Sequence, residues 1–162
     1  MRDPRKLRRP TLLALAAILL IPACDGKSPT APTLPEGDVP WETLFQSQES
    51  GITEFRRDVI RVQSGLEALW NELGTRSELP IVDFNVDMVL VAASGEQPNS
   101  CYDIEVTAAR SDGTDLTVTV TERTPTTICV CPPVVVQPVE VIKVPRADEV
   151  FFTNITLASC AT

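Results

Sequence analysis

The sequence predicts an α+β domain, mainly antiparallel β-sheet with one packed helix. Three observations predict it. Apolar and polar residues alternate with period two at several places after residue 85, a single run around Trp70 repeats at helical spacing, and the first two dozen residues fit neither pattern. A chain of 162 residues is the length of one domain.

Residues 1–24 begin with Arg2, Arg5, Lys6, Arg8 and Arg9 and continue in an apolar run from Thr11 to Ile21. That run is too short to span a bilayer as a helix, so it reads as an export signal. It ends in Ile21-Pro22-Ala23-Cys24, which resembles the lipobox of bacterial lipoproteins, and the resemblance implies cleavage before Cys24 and acylation of its thiol. Two or more acyl chains give stable membrane attachment. The expected partner at this end is therefore the lipid bilayer, and the expected location is the bacterial cell envelope outside the cytoplasm. Residues 24–40 carry four prolines and two glycines after the cysteine and read as an extended linker.

The folded unit is expected over 41–162. Trp41, Thr43 and Phe45 alternate, and 51–62 carries Phe55, Val59 and Ile60 among charges, which predicts two short strands. Ser64 and Glu67 have capping-box spacing, Leu66, Leu69, Trp70 and Leu73 share one helical face, and Gly74 supplies a stop. Trp70 is expected in the core. Residues 86–93 are apolar on both faces, as in a central strand buried on both sides. Tyr102, Ile104, Val106 and Ala108 alternate with Asp103, Glu105 and Thr107, and a turn at 110–113 leads to Leu116, Val118 and Val120, predicting a hairpin. A proline-containing loop over 124–133 precedes strands near 134–144 and 149–157, with Pro138 placing the former at an edge or interrupting it.

Loss of residues 1–23 would leave 9 Lys+Arg against 21 Asp+Glu, a net charge of −12. Nucleic acid is excluded as a partner by that charge. The chain has no histidine, which removes Ser-His-Asp and Cys-His catalysis and the commonest metal ligand.

Beyond Cys24 lie Cys101, Cys129, Cys131 and Cys160, which allow three complete pairings. A four-sulfur zinc site is the alternative, but an exported chain favours disulfides and a one-residue spacer is unusual for zinc. Cys129 and Cys131 would share a face of an extended segment, so each is expected to reach elsewhere, one to Cys101 and the other to Cys160. Asp83, Asp87 and Glu96 could be imagined as an acid–base set, yet carboxylates are so numerous that their proximity in sequence carries no weight. Arg56-Arg57 is expected to pair with acidic groups.

The order of several short motifs is similar to the C-terminal domain of the PrcB protease-complex subunit family. These are Leu69-Trp70, the segment Leu79-Pro80-Ile81-Val82-Asp83-Phe84, the strand 88–93, Gly95-Glu96-Gln97-Pro98 before Tyr102, Pro125 before Cys129, and Val144-Pro145-Arg146. The resemblance runs over roughly 41–155. Where that family has a Pro-Thr-Gly-Gly-Tyr turn, this chain has Pro98-Asn99-Ser100-Cys101-Tyr102, with both glycines replaced. A shorter phrase, Gly95-x-x-Pro98-x-x-x-Tyr102, resembles a loop of chagasin-type protease inhibitors. The resemblance to the PrcB family implies a membrane-tethered binding or assembly module whose partner is an envelope protein or protease. No enzyme activity, cofactor or metal is expected. Asn99 and Tyr102, with the rim at 124–127, are where a protein contact is expected, because loops on a rigid sheet often carry recognition. Arg146 is expected in a salt bridge to the acidic surface, with anion or partner binding as its alternative. A structural or small-ligand-binding lipoprotein is the alternative.

Overall fold

A computed structural model describes residues 33–160. The export signal, Cys24 and the first part of the linker lie outside the described residues. In chain order the elements are β1 (Gly37–Asp38), β2 (Glu42–Ser47), β3 (Phe55–Ile60), α1 (Gln63–Leu73), β4 (Asp87–Ser94), β5 (Asp103–Ser111), β6 (Leu116–Thr124), β7 (Val139–Pro145) and β8 (Val150–Ala158). This is the α+β fold expected, dominated by strands.

The strands form two sheets of four, ordered β1-β5-β6-β8 and β2-β7-β4-β3. All neighbours are antiparallel except β6 and β8, which run parallel. The apolar run 86–93 becomes β4, whose residues from Met88 to Ala93 are all buried. Its two faces serve two cores. Met88, Leu90 and Ala92 join Ile104, Val106, Leu116, Val118, Val120, Ile142 and Val144 between the sheets. Val89, Val91 and Ala93 meet Leu66, Leu69, Trp70 and Leu73 under α1. The order of layers is therefore sheet, sheet, helix, and each fully buried aliphatic side chain contributes roughly 1.5–3 kcal/mol.

The helix buries the expected stripe. The Trp70 ring stands edge-on to Phe45 at 5.9 Å, and its indole N–H donates to the Ser77 carbonyl at 3.1 Å. Gly74 ends the helix in the left-handed conformation at φ 58°. The capping box does not form, because Val62 occupies the cap position and supplies no side-chain acceptor.

Other expectations are corrected by geometry. Ala108 does not continue the buried alternation of β5, since a bulge between Val106 and Ala108 shifts the register and turns Ala109 inward. A second bulge between Thr43 and Phe45 breaks the alternation of β2 in the same way. Pro138 interrupts rather than marking an edge: it sits just before β7, which lies between β2 and β4. The folded unit starts before Trp41, because β1 pairs with the end of β5 and Leu34 and Val39 are buried. Two apolar residues set among prolines were too sparse to show a period.

Candidate functional site

The strand directions define two ends of the sandwich. Leu34 enters at one end, where its N–H donates to the Gly113 carbonyl in the β5–β6 turn at 3.0 Å. At the other end lie residues 95–102, the long loop 124–138 and the end of β8. This second end gathers most of the residues expected to matter.

Residues 95–102 are built on Gly95, whose φ is +70° and whose absent Cβ would lie 2.8 Å from the Thr53 carbonyl oxygen. No other residue fits without moving backbone. Gln97 then pairs with Val136 through two backbone bonds of 2.8 and 3.0 Å. Asn99 turns the chain by accepting the Cys101 N–H on its side-chain oxygen at 3.1 Å, a local turn that needs no glycine. The half-buried Tyr102 follows at the start of β5, and its carbonyl accepts from the Gln48 amide at 3.3 Å.

Two disulfides hold the facing loop. Cys101 joins Cys131 and Cys129 joins Cys160, with Cα separations of 5.6 and 5.4 Å. The first fastens the loop to the base of the hairpin and the second fastens it to the end of β8. Cys129 and Cys131 are both drawn toward the body of the protein, and the residues between and before them point away. Val130 is 97 % exposed and Ile128 is 85 % exposed, with Val134 and Val135 also exposed. From Thr124 to Val139 no residue is charged. The result is a rigidly anchored apolar rim beside Asn99 and Tyr102. Thr124–Thr127 form its base, where the Cys129 N–H donates to the Thr126 carbonyl at 3.1 Å.

Arg146 does not join this rim. It follows β7 at the opposite end, where it donates to the Phe84 carbonyl at 2.7 Å and fastens the connection from α1 to β4. Nor are the three carboxylates brought together. The Asp83 side chain accepts the Asn85 backbone N–H, which lowers its pKa, Asp87 begins β4 nearby, and Glu96 lies at the far end. Arg56 pairs with Asp58 and Glu72, and Arg57 pairs with Glu122. Among the described residues no group of three His, Cys, Asp or Glu is placed to hold a metal ion, and the sulfurs a zinc site would use are joined in pairs.

The apolar rim itself was only half visible in sequence. Ile128, Val130, Val134 and Val135 look like core residues to any hydropathy rule, and the signal that marks them is the charge-free run in a chain so rich in carboxylates.

No curated protein and no solved structure matches the chain. A family model does match in part: residues 88–145, from β4 through the hairpin and the disulfide loop to the end of β7, are similar to the family described as PrcB C-terminal. The match is narrower than the likeness read over 41–155. It leaves out β1 to β3, the helix, Arg146 and β8.

Proposed function

We propose that the protein is a lipid-anchored, non-catalytic module of the bacterial envelope that binds another protein through the disulfide-held rim. One observation carries the reading. The charge-free apolar loop with Ile128 and Val130 at its tip stands at the end of the sandwich opposite the entry of residue 34. A tether at Cys24 would hold the entry end toward the lipid and turn the rim outward, toward a neighbour. Interface cores are depleted in charge and rich in apolar contact, and loops on a rigid sheet commonly carry recognition. The partial likeness to the PrcB C-terminal family supports a role in assembly with an envelope protease or similar protein. Confinement to the membrane raises the effective concentration of such a partner.

The test is crosslinking in intact cells followed by mass spectrometry, comparing the natural chain with Ile128→Asp/Val130→Asp. A reproducible protein neighbour that disappears with the double variant is expected. Recovery of no neighbour, or of one indifferent to the two substitutions, overturns the proposal.

A further inference from the structure

Among the described residues no strand pairs with the outer edge of β8, and that edge is unlike a protected one. Natural sheets blunt exposed edges with short strands, charges, prolines or bulges. β8 has none of these: it pairs with β6 in unbroken register from Val150 to Ala158, and Val-Phe-Phe-Thr-Asn-Ile-Thr-Leu-Ala contains no charged residue, proline or glycine. Phe151, Ile155 and Leu157 are exposed.

The backbone register shows which groups are unpaired. The Leu116 N–H donates to the Glu149 carbonyl and the Ser159 N–H donates to the Thr124 carbonyl, both at 3.0 Å. In a parallel ladder every second residue faces the neighbouring strand, so 151, 153, 155 and 157 also bond toward β6. Val150, Phe152, Asn154, Thr156 and Ala158 therefore turn their N–H and carbonyl groups outward. Their side chains lie on the inner face, where Val150 and Phe152 pack on the core and Asn154 accepts from Arg57 at 2.9 Å. Phe151, Thr153, Ile155 and Leu157 occupy the outer face.

We infer that β8 pairs antiparallel with β8 of a second copy of this chain, about a twofold axis at Asn154. In that register Val150 meets Ala158, Phe152 meets Thr156 and Asn154 meets its own copy, each pair exchanging two backbone bonds. On the outer face Phe151 lies opposite Leu157 and Thr153 opposite Ile155, apolar and β-branched pairs of the kind that stabilise antiparallel neighbours. Self-pairing also suits the charge. Two copies of so acidic a chain repel, and β8 is a surface on which they can meet without opposing carboxylates. The two four-stranded sheets become one of eight. This surface is separate from the rim, so either proposal can fail alone.

The experiment uses the full chain in intact cells that make it, wherever in the cell it resides. Two differently tagged copies are co-expressed, one Thr153→Cys and the other Ile155→Cys, and oxidised mildly. A disulfide-linked heterodimer is expected, well above a Thr117→Cys pair on β6 that reports random collision. Thr156→Pro removes an outward N–H while leaving the bonds to β6, so it should reduce the crosslink to the collision level in a folded protein. Should Thr156→Pro fail to fold, Ile155→Lys, read through Phe151→Cys with Leu157→Cys, replaces it. A heteropair no better than Thr117→Cys, a stronger link between two Thr153→Cys copies than between the heteropair, or a crosslink unmoved in the folded edge variant would overturn the inference.

Discussion

Arg57 on β3 holds Glu122 on β6 in an ion pair that crosses the gap between the two sheets. The guanidinium side chain is only 8 % exposed, and it also donates to the Ala93 carbonyl and to the Asn154 side chain on β8. Burial lowers the Arg57 pKa while Glu122 raises it. One side chain thus ties three strands from both layers. Arg57→Met should cost about 2–3 kcal/mol in denaturant unfolding, somewhat below the value for a fully buried pair because Glu122 keeps partial contact with water. Adding Glu122→Leu should recover much of that loss, since no uncompensated charge then remains. A double variant as unstable as the single one would contradict this account.

Glu140 on β7 is 3 % exposed and accepts from the Val106 N–H beside the β5 bulge and from the Thr43 hydroxyl. Burial is the largest influence and pushes its pKa up; those two donors oppose the rise, and Glu105 and Asp103 add to it. A carboxyl whose pKa is higher in the folded chain is penalised only when ionised. The penalty is absent below its ordinary value of 4.5, grows as pH rises above it and levels off beyond the folded value. Glu140→Gln should therefore gain stability relative to the natural chain as pH rises above the ordinary carboxylate value, as followed by thermal unfolding across a pH series. A constant difference would show that the carboxylate charge is not the source.

The disulfides close loops with sequence separations of 30 and 31. Chain entropy assigns each about 3–4 kcal/mol. Cys101→Ser/Cys131→Ser and Cys129→Ser/Cys160→Ser should each lose about that much, and only the second should increase amide exchange at the end of β8. Hydrogen exchange by mass spectrometry separates the two.

Gly51 packs against the end of α1, where an added Cβ would lie 2.2 Å from the Glu72 carbonyl oxygen. The obstacle is backbone and has little freedom to move. Gly51→Ala should destabilise by about 1–3 kcal/mol, whereas Ile128→Asp at the exposed loop tip should stay within about 0.5 kcal/mol of the natural chain. Urea midpoints at unchanged slope would measure both.

The strand and helix periods were legible because they depend on local geometry. Leu66, Leu69, Trp70 and Leu73 had to share a face once that segment was helical, and the short apolar run read over 86–93 is covered on both sides from Met88 to Ala93, with Val86 exposed before the strand. The hairpin and the loop carrying Cys129 and Cys131 were readable for the same reason, although the hairpin turn falls at 112–115 rather than 110–113, because Arg110 and Ser111 stay paired in β5. For the cysteines the sequence narrowed the distant partners, sending Cys129 and Cys131 to Cys101 and Cys160 without saying which to which. The other choices between distant partners it could not determine. The division into two sheets, the parallel placement of β8 beside β6, the inclusion of Leu34 and Val39 in the fold and the separation of Arg146 from Tyr102 depend on which surfaces pack together. So does the exposure of Ile128 and Val130, since an apolar side chain is buried only where another surface covers it, and the two disulfides turn that face of the loop away from the core.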